Sequence, residues 1–362
     1  MEGRLASPAP AHAPRLPLVE APREIVIIML SALGDAVHVL PVANALKRAW
    51  PQSRITWVIQ PVPYRLVHNH PAIDDFILFH RQRGTRALQS YMEIRELFAH
   101  RHFDLLLGLQ VYFKAGLLTA LARATVKLGF DRRRARDFNW LFTTHRIPAR
   151  PHAHVQDQYF EFLEYLGVDP HPVEWGITLT DAERERQREF FERLHRPVCG
   201  IVVGTSNPRK NWAPERYVRL TQALEADWGF TTVLIGGPSA EERRTADAIL
   251  AAGTRAIDAL GDDVRRLVYL LDGCDLVVSP DTGPLHIARA LDVPVIGLYG
   301  NTNPKRHGPY RKYEDLVVDG YARWPGEDYP ISMERRKDGM DRVSVDAVLE
   351  KVQLAVERYL AK

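Results

Sequence analysis

Cysteine is nearly absent. The 362 residues hold only Cys199 and Cys274, with no metal-type spacing, which excludes a disulfide framework or a cysteine-held zinc and fits a reducing cytoplasm. No stretch of roughly 18 apolar residues occurs, so no membrane-crossing helix is predicted. Residues 1–22 are rich in Ala and Pro and carry Arg4 and Arg15 without a continuous apolar segment; they are expected to be a flexible tail and not a signal peptide. A strong excess of one charge is also missing. Lys and Arg number 48 against 45 Asp and Glu, a net charge of +3, and no nucleic-acid partner is expected from so mild a balance. Neither a three-glycine G-x-G-x-x-G turn nor a G-x-x-x-x-G-K-[ST] loop is present, which argues against a nicotinamide dehydrogenase and a P-loop NTPase.

What is present suits two globular domains. Apolar residues make up 46% and charged residues 26%, the proportions of a globular protein, and the length corresponds to two cores of roughly 150 residues. Unbroken β-branched and apolar runs predict strands at 24–30 (EIVIIML), 55–60, 74–79, 103–109 and 127–130, with helices at 36–50, 89–100 and 116–124 between them. An aromatic helix is expected at 155–166. After the Pro-rich stretch 169–175 and a charged helix at 181–194, a second series begins. Its strands fall at 199–203, 231–235, 256–257, 276–279 and 295–299, and its helices at 215–228, 240–252, 264–271 and 285–291. A last helix is expected over 344–360. Strands alternating with helices imply parallel pairing by right-handed crossovers. The predicted fold is therefore α/β, two Rossmann-like doubly wound domains facing across a cleft, with ligands beyond the carboxyl ends of the strands.

Three strand ends carry candidate chemistry. Asp35 follows Gly34 at the end of the first strand and is either a helix cap or a catalytic carboxylate. His38, one turn on, is expected to be structural or a neighbour of the site. In the second series, residues 203–212 (VGTSNPRKNW) offer two hydroxyls and Lys210, suitable for phosphate oxygens or for charge growing on a leaving diphosphate, unless the loop is merely solvated. The stretch 276–286 (LVVSPDTGPLH) ends a buried strand at a proline and opens a helix with Asp-Thr-Gly. Free amides at such a start attract anions, and Gly283 permits close approach of a ligand. Residues 299–304 (YGNTNP) end the next strand at the same sheet edge and are expected to line a donor pocket. The paired histidines at 68/70, 100/102 and 152/154 are not expected to bind metal.

These segments resemble glycosyltransferase family 9, the lipopolysaccharide heptosyltransferases, from about residue 24 to residue 355. LSALGDAVHVLPVANALK (30–47) is similar to the family's opening S-x-x-G-D signature, and GTSNPRKNWAPERY (204–217) to its phosphate loop, with Lys210 and Trp212 in register. SPDTGPLHIARALDVPVIGLYGNTNP (279–304) follows its D-T-G-x-x-H segment almost position for position. FDLLLGLQVYFKAGLLTALA (103–122) and GMDRVSVDAVLEKV (339–352) are similar to weaker stretches. Gln110-Val111 departs from the family's frequent Gln-Gly, and the region around 321–333 is individual.

The resemblance implies the GT-B arrangement: an acceptor domain at 23–175, a nucleotide-sugar domain at 176–332, and a terminal helix at 333–362 returning to the first domain. It implies inverting transfer of a heptose from ADP-heptose to the phosphorylated inner core of lipopolysaccharide. Asp35 would be the general base, ionised at an ordinary carboxylate pKa of roughly 4. Thr205, Ser206 and Lys210 would hold the donor diphosphate, with Thr282, Gly283 and His286 beside it, Asp281 on the sugar hydroxyls and Glu241 on the ribose. On the acceptor side, Lys114 and the basic run Arg132, Arg133, Arg134 and Arg136 would meet phosphates or acidic sugars and the inner face of the membrane, the alternative for the run being a solvated basic face. No cofactor is implied. The chain lacks an Asp-x-Asp metal clamp, so Lys210 and a helix N-terminus are expected to neutralise the leaving group without metal. The alternatives are a GT-B enzyme with another nucleotide sugar, an epimerase among them, and a non-catalytic nucleotide-sugar binder. Oligomeric state is not legible.

Overall fold

The structure is a computed structural model describing residues 18, 20–82 and 84–360; the expected tail at 1–22 lies mostly outside them. The strands of the first half are β1 (Glu24–Ile28), β2 (Arg54–Ile59), β3 (Asp75–Leu78), β4 (Phe103–Gly108), β5 (Ala124–Gly129) and β6 (His145–Arg146). Those of the second are β7 (Val198–Val202), β8 (Thr231–Ile235), β9 (Ile257–Asp258), β10 (Leu276–Pro280), β11 (Val295–Tyr299) and β12 (Val317–Asp319). They form two six-stranded sheets, ordered β3-β2-β1-β4-β5-β6 and β12-β11-β10-β7-β8-β9. Every pair is parallel, with Ile25 of β1 opposite both Ile55 and Leu105, for example. Helices cover both faces of such sheets, which is why the central strands are apolar without alternation: Ile25 to Ile28 and Val198 to Val202 are buried throughout.

The strand orders fix where ligands can sit. In the first sheet the chain runs outward from β1 to β3, then restarts at β4 on the other side of β1; in the second it restarts at β10 beside β7. A doubly wound sheet opens a crevice where its winding reverses, because successive loops there diverge to opposite faces. The turns after β1 and β4 flank one crevice, and those after β7 and β10 flank the other. These are the turns that carry Asp35, Gln110, Lys210 and Asp281.

Departures from the expected elements are confined to weak signals. The edge strands β6 and β12 are two and three residues long, too short for a period to register. The helix Pro61–Val67 begins with Pro at its first position, where a missing amide hydrogen costs nothing, although Pro61 and Pro63 in sequence suggest a loop. The first long helix, Leu33–Ala49, starts three residues earlier than expected because Gly34 sits inside its first turn.

The terminal helix corrects an expectation. Val345–Ala355 does not return to the first domain but packs on the second sheet, against β11, β12 and the helix Pro214–Asp227. Lys351 Nζ donates to the Asp315 carbonyl at 2.7 Å, and Arg358 and Tyr359 hold the Asp315 carboxylate at 2.9 and 2.8 Å. The approach to it is fastened by the Trp212 indole, which donates to the Val343 carbonyl at 2.8 Å, and by Arg216, which donates to the carbonyls of Met340, Asp341 and Val343. Trp212, part of the expected phosphate-loop signature, therefore anchors the C-terminal segment.

Candidate active site

Asp35 is the third residue of its helix and not the N-cap; Ala32 occupies that position and has no capping side chain. The Asp35 Oδ2 accepts the Ala32 amide hydrogen at 2.8 Å, and Oδ1 accepts none from the described residues. This carboxylate lines a cavity of ≈ 190 Å³ together with Gln110, Tyr112, Tyr159 and Arg306. Gln110 ties the turn down: its amide donates to the Ser31 carbonyl at 2.7 Å and its oxygen accepts the Leu30 amide at 3.2 Å. Burial in the closed cleft pushes the Asp35 carboxyl above its ordinary value, against the opposing pull of the Ala32 amide, His286 and Arg306.

Across the cleft the half-buried Lys210 and the buried Asp281 form an ion pair. Lys210 Nζ lies 2.7 Å from Asp281 Oδ2 and 3.0 Å from the Asp281 carbonyl. Thr302 donates its hydroxyl to the same carboxylate, and His286 Nε2 stands 3.6 Å from Oδ1. Burial alone would raise the Asp281 carboxyl; Lys210 and His286 hold it well below the usual carboxylate range. An ammonium has three donors, so one Lys210 N–H remains for a ligand.

Beside this pair a second cavity of ≈ 470 Å³ is lined by Thr205, Ser206, Gly237, Glu241, Asp263 and Thr282. Thr282 caps the helix Gly283–Ala290 by position, without a side-chain bond; Pro284 has no amide hydrogen and the Leu285 amide donates to the Thr282 carbonyl at 3.1 Å, which leaves the Gly283 amide for an anion. The two halves meet where this helix faces the start of Leu33–Ala49. A Cβ on Gly34 would lie 2.7 Å from His286 Cδ2, and one on Gly283 would lie 2.9 Å from Leu33 Cδ2. Glycine at both positions lets the two helix starts close on each other. The His38 ring lies 4.6 Å from that of His286, between centroids, and its Nδ1 shares a hydrogen with Gln156 Oε1 at 3.0 Å; it is a buried part of this seam.

Residues 92–330 match the family model for glycosyltransferase family 9 (heptosyltransferase). The chain is 30% identical over 300 residues to the lipopolysaccharide core heptosyltransferase OpsX of Haemophilus influenzae, covering 82% of this chain and 85% of that protein. The chain belongs to glycosyltransferase family 9. It is thus a glycosyltransferase, and its fold matches that of solved relatives. A family 9 glycosyl transferase from Veillonella parvula superposes with a TM-score of 0.75 at 24% identity, over 92% of this chain and 97% of the other. Escherichia coli heptosyltransferase WaaC with ADP gives 0.70 at 23%, over 93% and 99%.

The transferase brings Asp35, Lys210, Asp281, Thr282, Gly283 and His286 to one seam, but several expected contacts differ. The Thr205 hydroxyl donates to the Asn207 carbonyl at 2.8 Å, inside its own loop, while the Thr205 amide donates to Asn211 Oδ1; its hydrogen is spent on loop shape. Ser206 is exposed and makes no such bond. Asp281, expected on sugar hydroxyls, is occupied by Lys210, Thr302 and His286. Glu241 lines the larger cavity and has no side-chain partner among the described residues, whereas its neighbour Glu242 accepts the Gly237 amide at 2.7 Å and braces the turn. Thr302 and Asn303 line the smaller cavity with Asp35, not the donor pocket expected for 299–304.

The basic run divides. Arg134 is buried, 4% exposed, with Nε on Asp131 at 2.5 Å, two bonds to Glu161 at 2.8 and 2.7 Å, and one to the Pro148 carbonyl at 2.9 Å. It cannot reach an acceptor; it ties the β5–β6 connection to the helix Val155–Tyr165. Arg132 lies over the Trp140 ring at 4.3 Å, Arg133 is exposed, and Arg136 points toward Met333 at the edge of the smaller cavity. Lys114 donates to the Ser31 hydroxyl at 3.2 Å, next to the Asp35 turn. Arg134→Met is expected to cost roughly 3–5 kcal/mol, because two buried carboxylates lose their partner. Urea unfolding would check it: a lower midpoint at unchanged slope is expected, and an unchanged midpoint would refute it.

Sequence reasoning missed Arg306, Tyr159 and Gln158, which line the Asp35 cavity. Arg306 stands two residues past the matched segment 279–304, and only that proximity could have flagged it.

Proposed function

We propose that this chain moves a heptose from ADP-heptose to the inner core of lipopolysaccharide with inversion at the anomeric carbon. The observation that carries the reading is the opposition of Asp35, at the winding reversal of one sheet, to the Lys210–Asp281 pair at that of the other. In this mechanism Asp35 takes the proton of the acceptor hydroxyl and the freed oxygen attacks the anomeric carbon. The bond to the diphosphate breaks, and its electron pair leaves on the diphosphate oxygen. The larger cavity takes the nucleotide, with Glu241 on the ribose. Lys210, the Ser206 hydroxyl and the Gly283 amide at the helix start meet the diphosphate, a charge neutralisation that requires no metal. Asp281 holds Lys210 in place instead of reading the sugar. Closure of the Gly34–Gly283 seam keeps water from the donor. The name of the Haemophilus influenzae relative, a lipopolysaccharide core heptosyltransferase, supports the acceptor class.

The acceptor is anchored in lipid, and the first domain carries a surface suited to it. Phe113, Phe138 and Leu141 are exposed around the short helix Asn139–Phe142, beside Arg132 and Arg133. Apolar and basic side chains together favour peripheral contact with an anionic leaflet, and we place the enzyme at the cytoplasmic face of the inner membrane. Calorimetry with ADP-heptose, UDP-glucose and GDP-mannose in EDTA tests the donor. Selective binding of ADP-heptose is expected; preference for either of the others would overturn the donor assignment.

A further inference from the structure

Among the described residues, the buried arginines are paired with one exception. Arg134 faces Glu161, Arg265 faces Glu183 and Arg336 faces Glu327, each through two hydrogen bonds. Arg306 is just as buried, 8% exposed, yet no carboxylate pairs with it among the described residues. Its one side-chain bond is a long one of 3.4 Å from Nη1 to Gln158 Oε1, and its Nε has no partner. A guanidinium carries five donors in a planar fork, so most of its capacity is unused. Holding an unpaired cation out of water is costly, and a fold tolerates it where a ligand completes the site.

The position of Arg306 defines that ligand. It lies on the helix Pro304–His307, beyond the carboxyl end of β11, and lines the same ≈ 190 Å³ cavity as Asp35. Its neighbour Lys305 turns away to the Tyr329 carbonyl and Asp328. Asp35 and Glu334 in the cavity wall would repel an anionic acceptor, and Arg306 and Arg335 oppose them. We infer that Arg306 is the specificity residue for the acceptor, gripping through its fork a carboxylate or phosphate on the sugar whose hydroxyl faces Asp35. This rests on the reading of the cavity as the acceptor site. A bidentate guanidinium–oxyanion contact fixes both distance and rotation, which a base of fixed position requires of its substrate.

Two sets of measurements test this. Thermal melting, with ADP present throughout and ionic strength held with chloride, compares wild type with Arg306→Gln. The variant is expected to melt at the same temperature or higher, because an unpaired buried charge is removed; a purely structural arginine would give a lower one. Inorganic phosphate or acetate is expected to raise the melting temperature of wild type and not of Arg306→Gln. A lower melting temperature of the variant in chloride, or equal shifts by the anions, would overturn the inference. Turnover is then measured on heptose-deficient lipopolysaccharide, untreated, dephosphorylated or carboxyl-reduced. Arg306→Gln is expected to raise the acceptor KM about 10- to 100-fold with the donor KM unchanged, and Arg306→Lys to recover part of it. The chemical treatment that erases the difference between wild type and variant identifies the group gripped; if neither erases it, the inference fails. Inactivity of wild type on all three acceptors would instead overturn the lipopolysaccharide reading, and the melting comparison would still decide the role of Arg306.

Discussion

Asp35→Asn is expected to lower kcat by roughly 10²- to 10⁴-fold, the usual worth of a positioned general base, while leaving the dissociation constant of the donor unchanged. The substitution keeps an oxygen for the Ala32 amide and removes only the proton acceptor. Its effect on stability separates chemistry from architecture. Burial raises the Asp35 pKa on folding, so the native state holds this proton more tightly than the unfolded chain does. The stabilisation this gives is complete below the unfolded pKa and disappears as pH rises through the folded one. Asn does not ionise and loses nothing as pH rises, so the variant should be at least as stable as wild type, and increasingly so at higher pH. The same shift sets the pH profile: the acid limb of kcat/KM should lie above the ordinary carboxylate range of roughly 4 and be absent from the residual activity of Asp35→Asn. Retained turnover in the variant would show that Asp35 is not the general base.

Lys210→Met should damage both rate and fold. Loss of the cation meeting the leaving diphosphate is expected to cost roughly 10²- to 10³-fold in kcat, as for other preorganised charge-stabilising groups. The fold loses more than a surface ion pair, because the Asp281 side chain is 6% exposed and would be left as a buried carboxylate with only Thr302 and His286 beside it. Breaking such a pair costs roughly 3–5 kcal/mol, and the lower end applies because Lys210 is itself 20% exposed. The pH dependence has the opposite sign to that of Asp35. The Asp281 pKa is depressed in the folded state, so its contribution is present above the unfolded value and lost as pH falls through the folded one; Lys210→Met should flatten that acid loss. The double variant Lys210→Met with Asp281→Asn should recover much of the stability and none of the turnover. Recovery of turnover in the double variant would show that Lys210 serves only to neutralise Asp281.

The positions of the chemistry-bearing turns were legible because they obey local rules. EIVIIML can only be a strand buried on both faces, and a carboxylate or Asp-Thr-Gly directly after such a strand lies at a sheet edge whatever the rest of the chain does. The limits of this reasoning show in the run Arg132, Arg133, Arg134 and Arg136. Four nearly consecutive cations look alike in sequence, and only the return of Glu161 on a helix 27 residues downstream turns Arg134 inward. Thr205 and Asp281 mislead for a related reason. A hydroxyl and a carboxylate in a phosphate loop suit a ligand, yet each is taken by a protein partner, Asn207 nearby and Lys210 far away, and a sequence does not display who is already satisfied.

The sequence by itself determined the two parallel α/β units, their strand ends and the placing of Asp35, Lys210 and the Asp-Thr-Gly turn at those ends, because period, β-branching and turn residues act within a few positions. Tertiary structure alone decided which groups share a cavity: Arg306 with Asp35, Glu241 and not Glu242 without a side-chain partner among the described residues, the terminal helix on the second domain. Those outcomes depend on long-range packing, in which a side chain's role is set by the partner that reaches it first.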